Sequence, residues 1–275
     1  MAPFFTIVIA NYNHGEFLPE AIESILTQTC TDFELIVVDG GSTDSSLDVI
    51  EKYKKHFSWA VSEKDSGQSN AFNKGFSKAK GQFFLWLNAD DILLQHTLQK
   101  AKDFLSLNKS CKWLAGNTVT MDSNKKIQWC IRGPIFVKSL VRYGTVYVYG
   151  PTSFFHRNLF ESAGGFDESL HYTMDTDLWF RFINLGYKFK RLNHYCWALR
   201  IHKASKTSHA FFGHSNEKFS LEKIRIQRKN NHYDNKFVNL LQTLLKVCTG
   251  IFLKRYLDNK RFSGKYIYEN YELFG

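Results

Sequence analysis

The residues best able to do chemistry are carboxylates that follow apolar runs. At Asn88-Ala89-Asp90-Asp91, the run Phe83-Phe84-Leu85-Trp86-Leu87 stops at two adjacent acids. Neighbouring carboxylates repel unless a cation or hydrogen-bond donors offset their charge. Carboxylate oxygens suit Mg²⁺ or Mn²⁺. Such ions take one or two protein carboxylates and leave their other positions to water and substrate phosphates. On the plainer reading Asp91 caps the next helix and Asp90 is merely exposed.

Three further groups invite the same question. Asp39-Gly40-Gly41-Ser42-Thr43-Asp44 places an acid before glycines that let a ligand approach the backbone. It could hold a base or ribose, or it could be a tight turn that caps a helix. Asp175 and Asp177 stand at the expected start of a helix. One suits a cap, and the other could act as a general base near neutral pH. In Arg200-Ile201-His202-Lys203-Ala204-Ser205-Lys206-Thr207, cationic and hydroxyl side chains could close over a diphosphate. His202 could also ligate a metal, although an ordinary polar loop explains it as well.

The elements that must position these groups follow from hydrophobic periodicity. Residues 4–10, 33–38, 59–61 and 83–87 read as strands. Residues 17–27, 45–53, 68–78 and 97–105 read as the helices between and after them, with Leu47 and Ile50 inward on the second. Alternating strands and helices predict right-handed crossovers and a mostly parallel sheet. Asn11, Asp39 and Asp90 then share one sheet edge, where open α/β sheets bind ligands. Residues 113–121 and 126–131 read as a hairpin, 177–185 as a helix and 192–201 as a strand.

The 275 residues carry a formal charge of +10 and are 44% apolar, enough for a sizeable core. Five scattered cysteines without a CxxC argue against a disulfide framework or a zinc site and favour a reducing compartment. No leader or membrane span is expected from the apolar runs. No nucleic-acid-binding motif stands out, so no nucleic-acid partner is expected. Residues 216–275 hold twelve Lys/Arg against six Asp/Glu, a net +6. There Phe237, Leu240, Leu241, Leu244, Leu245, Cys248, Ile251 and Phe252 make an apolar stripe at helical spacing. The stripe either packs on its own domain or docks on an anionic membrane surface, and both readings stay open.

Taken in order, these segments resemble glycosyltransferase family 2, the inverting group with the GT-A fold. The resemblance runs through Thr6–Asn13 (TIVIANYN), Asp39–Asp44 (DGGSTD), Asp65–Gly75 (DSGQSNAFNKG), Asn88–Asp91 and Gly164–Arg181 (GGFDESLHYTMDTDLWFR). It implies a GT-A domain over residues 1–210 and a basic amphipathic helical tail over 211–275. It also implies a nucleoside-diphosphate sugar donor (UDP-, GDP- or dTDP-linked) and a saccharide or lipid-linked acceptor, as in bacterial surface polysaccharide or glycolipid synthesis. Ala10, Asn11, Tyr12, Asp39, Asp65, Asn88 and Ala89 would line the nucleotide site. Asp90, with His202, would hold Mn²⁺ or Mg²⁺, and Asp175 would be the base. Asp177, Arg200 and Lys203 would serve the acceptor or the diphosphate. The setting implied is cytoplasmic, with peripheral attachment at the inner face of the membrane.

Three positions depart from the family pattern. Asn88 replaces the first acid of a DxD motif, Met174 replaces a Glu that commonly precedes the base, and Asn70 replaces an Asp. Asn88 and Met174 raise the alternative of an inactive sugar-nucleotide-binding module. A sugar nucleotidyltransferase is disfavoured because Asn11-Tyr12-Asn13-His14-Gly15 lacks the Gly-rich, Arg/Lys-containing loop expected there. An NAD enzyme is disfavoured because no GxGxxG follows the first strand.

Overall fold

The structure, a computed structural model, describes residues 2–133, 135–137, 148–202, 205, 217–230 and 235–270. Strands β1 (Phe5–Asn11), β2 (Phe33–Asp39), β3 (Trp59–Ser62) and β4 (Phe83–Asn88) form the parallel part of one sheet, in the order β3-β2-β1-β4. Helices α1 (Leu18–Leu26), α2 (Ser46–Tyr53) and α3 (Gln68–Ser77) make the crossovers. These strands read as continuous apolar runs because both faces are covered. Phe5, Ile7, Ile9, Leu85 and Leu87 face a core shared with Leu18, Ile22 and Ile25 of α1. Val8, Ile36, Val38, Phe84 and Trp86 face the other way, onto Phe72 and Phe76 of α3. Helix α3 lies so close that a Cβ at Gly75 would sit 2.4 Å from a Val8 methyl group.

Beyond β4 the sheet is mixed. It continues through β5 (Ile92–Leu93), β6 (Trp113–Asp122), β7 (Ile127–Ile131), β8 (Ser153–His156) and β9 (Lys190–Ile201). The order after β4 is β8-β6-β9-β5, with β7 beside β6. Strand β8 runs antiparallel to β4 and β6, and the expected hairpin is the antiparallel β6/β7 pair. Helix α4 (Thr97–Leu107) follows β5, and α5 (Arg157–Ser162) follows β8. Helix α6 (Met174–Asn184) begins three residues before the expected start, so Asp175 lies in its first turn.

Leu47 departs from expectation, being 47% exposed. The inward stripe of α2 runs through Ser46, Val49, Ile50 and Tyr53, which turns Leu47 outward. The described tail comprises α7 (Glu217–Lys229), α8 (Lys236–Cys248) and α9 (Ile251–Phe262), not one continuous stripe. Helices α8 and α9 meet at a 67° bend, where Gly250 takes φ +69°. No single described helix is long and apolar enough to cross a membrane. Ile226 of α7 enters the core around α6, and Phe262 of α9 packs with Val119, Met121, Ile127 and Ile267 against the β6/β7 hairpin. The expected domain boundary near residues 208–215 lies outside the described residues.

Candidate active site

Strand register brings the strand ends to one edge. Asn11 pairs with Asp39, Ala10 with Asn88, and Asp39 with Ser62. Above this edge opens a cavity of about 710 Å³. Of the residues singled out in the sequence, Ala10, Asn11, Tyr12, Asp65, Asn88, Ala89, Asp90 and Asp175 line it. Tyr12 stands 61% exposed on the rim. Gly150 forms part of the wall in a tight turn before β8, where a Cβ would sit 2.3 Å from the Trp86 ring.

Asp39 does not line the cavity; it lies beneath it, fully buried. Its carboxylate accepts hydrogen bonds from Asn11 Nδ2 (2.6 Å), Ser62 Oγ (2.6 Å), Ser42 Oγ (2.5 Å) and the amides of Gly41 and Ser42. Burial alone would raise its pKa, but these donors outweigh burial and hold it below the usual carboxylate value. Asp39 therefore shapes the turn that supports Asn11. Asp44, at the far end of the turn, accepts from the amides of Gly15 (2.8 Å) and Ser46 (3.0 Å), tying the loop after β1 to the start of α2. The tight-turn reading of the DGGSTD run thus describes both of its acids, while Gly40 and Gly41 are the residues of the run that reach the cavity.

At the end of β4 the two acids have separate fates. Asp91 is 1% exposed and caps no helix. It accepts from the Arg200 amide (2.9 Å) and Asn88 Nδ2 (2.8 Å), so it fastens β9 to the β4 end. Burial first, and then the neighbouring charge of Asp90, push it well above the usual carboxylate range. Asn88 Oδ1 accepts from Gln68 Nε2 at 2.6 Å. Asp90 reaches the cavity, and its Oδ2 lies 3.1 Å from His202 Nε2. The His202 ring packs 4.9 Å from that of Phe17. A carboxylate oxygen and an imidazole nitrogen this close form a donor set that fits a divalent ion completed by substrate oxygens. Among the described residues no cluster of three or more His, Cys, Asp or Glu suits a metal.

Two residues expected to serve the acceptor or the diphosphate are employed elsewhere. Arg200, 1% exposed, donates from Nε to the Asp90 carbonyl (2.8 Å) and from Nη2 to Glu20 (2.5 Å). Its guanidinium lies over the Phe17 ring, so it positions the Asp90 turn and leaves no face for a ligand. Asp177 is fully buried, 2.8 Å from Arg181 Nε and 3.4 Å from Lys229 Nζ, away from the cavity. One helical turn carries both acids of α6, and residues 175 and 177 point about 200° apart. Lys203 lies outside the described residues.

Asp175 faces the cavity from the first turn of α6. Burial pushes its pKa up to about 6, against weaker opposition from hydrogen bonds given by the Thr176 amide and hydroxyl. The approach to α6 is held by a residue the sequence did not flag. Glu222 of α7 accepts from the amides of His171 (2.9 Å), Tyr172 (2.8 Å) and Thr173 (3.2 Å), and from the Thr173 hydroxyl (3.1 Å). Helix α7 also supplies Phe219 to the cavity wall beside Tyr172. Only a tertiary fold joins residues 50 positions apart, so local pattern carried no signal for these contacts.

Residues 6–164 match the model of Glycosyl transferase family 2. An uncharacterized glycosyltransferase of Nostoc sp. is 32% identical over 54% of this chain and 48% of its own length. A PGL/p-HBAD biosynthesis glycosyltransferase of Mycobacterium tuberculosis is 35% identical over 45% of this chain and 50% of its own. The chain thus spans about half the length of these relatives. Among solved structures, S. aureus TarS in complex with UDP-GlcNAc superposes with a TM-score of 0.59 at 20% identity, over 74% of this chain and 60% of that one. A mannosyltransferase of Pyrobaculum calidifontis, in complex with GDP-Man and Mn²⁺, gives 0.58 at 18% identity, over 77% and 60%. These likenesses identify the sheet and its flanking helices as a GT-A fold. With more than half of its length matched by the family model, the chain belongs to glycosyltransferase family 2.

Proposed function

We propose that the protein transfers a sugar, with inversion, from a nucleoside-diphosphate sugar to the hydroxyl of a saccharide or lipid-linked acceptor, in surface polysaccharide or glycolipid synthesis. The observation that carries this is one cavity holding Asp90, paired with His202, and Asp175, raised to about 6. Tyr12 offers an exposed ring on which a base can stack, and Asn11 and Asp65 offer polar contacts to the nucleoside. Asp90 and His202 would hold Mn²⁺ or Mg²⁺, which when bound supplies Lewis-acid charge to the leaving diphosphate. Ionised Asp175 accepts the proton of the acceptor hydroxyl. The hydroxyl oxygen bonds to the anomeric carbon while the bond to the diphosphate oxygen breaks on the opposite face, and configuration inverts. Tyr172 and Phe219 line the same cavity as Asp175. The free cysteines suit a reducing, cytoplasmic setting.

A thermal-shift screen of UDP, GDP and dTDP with Mn²⁺ tests the donor site. Binding to the folded state alone, at a hundred times Kd, adds roughly 2.7 kcal/mol of stability. Asp90→Ala abolishes the Mn²⁺-dependent part of that shift. A protein that no nucleoside diphosphate stabilises, with or without Mn²⁺, does not carry this site. Slow donor hydrolysis above a no-enzyme control separates a transferase from an inactive sugar-nucleotide-binding module.

A further inference from the structure

Helix α8 faces the wrong way for a helix of a water-soluble domain. Its exposed side is apolar, with Phe237 at 65%, Leu240 at 54%, Leu244 at 49% and Val247 at 57% exposure. Its half-buried side mixes Asn239, Gln242 and Lys246 with Val238 and Leu245. No residue of α8 is fully buried. A 13-residue helix is marginal in water without a surface to cover its apolar side. Across the 67° bend, α9 shows the complementary design. Its inner side is fixed to the domain, where Asn259 Oδ1 accepts from the Cys130 amide (2.8 Å) and Asp258 from Arg132 Nε (2.6 Å). Its outer side exposes Leu253, Tyr256 and Leu257 beside Lys254, Lys260 and Arg261.

We propose that the outer faces of α8 and α9 form one surface that lies in the interface of an anionic lipid bilayer. Charge decides the occupant: residues 236–262 hold six Lys/Arg and one Asp, a net +5. A second copy of this chain would bring like charge against this surface. Apolar residues flanked by lysines and arginines suit acyl chains below and anionic headgroups around them. Tyr256 has the amphipathic ring that favours the headgroup level. The pair lies on the bilayer and does not span it, because the inner side of α9 is committed to the β6/β7 hairpin. The surface belongs to these two helices alone. Its purpose, to hold the active site beside a lipid-linked acceptor, rests on the transferase reading.

Flotation of the full chain with phosphatidylglycerol-containing and pure phosphatidylcholine vesicles tests this. The protein should float with the anionic vesicles, less so at high salt, and remain below with the neutral ones. Leu240→Glu with Leu244→Glu should reduce vesicle-bound protein at least about tenfold. Lys254→Glu with Arg261→Glu should do the same through charge. Both variants change exposed residues that do not line the cavity, so the nucleoside diphosphate thermal shift is retained and reports separately on the donor site. A wild-type chain that ignores anionic vesicles overturns the proposal. So does a wild-type dimer in size-exclusion chromatography that the Leu240/Leu244 variant converts to monomer, since a second copy would then cover the face.

Discussion

Burial raises Asp175 to about 6, and that single shift has consequences for rate and for stability. As a base it must be ionised, so transfer should rise with pH through a midpoint near 6 and fall about tenfold per unit below it. Asp175→Asn should cost on the order of 10²–10⁴-fold in rate and remove this limb. Near-normal transfer by the variant would defeat the assignment. The stability effect has the opposite sense. The folded pKa lies above the unfolded value of 3.8, so between the two the native state keeps a proton that the unfolded chain has released. Stability is therefore lost as pH rises through about 6. Above that pH, Asp175→Asn should unfold at higher urea than the native chain while turning over more slowly.

Asn88 shows the same electrostatics in reverse. Its amide donates to Asp91 at 2.8 Å, where an aspartate would press one carboxylate against another that burial already penalises. The replaced first acid of the DxD motif thus matches a buried Asp91 that needs a neutral neighbour. Asn88→Asp should lower stability by roughly 1–3 kcal/mol at neutral pH. The repelling pair would have a raised folded pKa, so the deficit should shrink as pH falls and protonation relieves it. Urea unfolding at pH 5 and pH 7.5 checks this, and a deficit equal at both would reject it. Asp90 was legible as an acid at a strand end. The helix that carries Asp175 was expected to start at 177, so local pattern left Asp175 and Asp177 equivalent and only the family resemblance chose between them. Asp39, Arg200 and Asp177 were legible as charged residues but not as buried ones. Their partners (Ser62, Glu20 and Lys229) come from elements that only tertiary packing brings near.

At the scale of elements, the site is a meeting of strand ends with two later helices. The parallel half could be read from its double-sided apolar strands, which bury both faces whatever follows. The second half could not, because β8 inserts between β4 and β6 and only the completed sheet fixes that order. Helix α7 matters most here. Glu222 satisfies three consecutive amides before α6, and so sets the direction from which Asp175 enters the cavity. Glu222→Ala leaves those donors unpaired in a mostly buried place, at a cost of about 1–3 kcal/mol for each that water cannot reach. It should lower the urea midpoint and also kcat, as the 171–173 turn loosens. Glu222→Gln keeps an acceptor oxygen and should recover most of the stability. Equal losses in both variants would mean that charge, not hydrogen-bond acceptance, is what the turn requires.

For the whole molecule, the tail is structural before it is anything else. Ile226, Phe262 and Ile267 are each at most 3% exposed, and they cover parts of two of the three hydrophobic clusters. Burying a large apolar side chain contributes about 1.5–3 kcal/mol. Three of them contribute roughly 5–9 kcal/mol, comparable to the roughly 5–15 kcal/mol of stability in a typical domain. A chain ending at residue 215 also loses Glu222 and uncovers Val119, Met121 and Ile127 on the β6/β7 hairpin. Such a chain should be insoluble, or should lack a cooperative urea transition and the nucleoside diphosphate thermal shift. The Leu240→Glu, Leu244→Glu chain should keep both, because its changes fall on the exposed face of α8 and outside the three hydrophobic clusters. A soluble 1–215 chain that unfolds cooperatively and still binds a nucleoside diphosphate with Mn²⁺ would show that the core closes without α7 and α9.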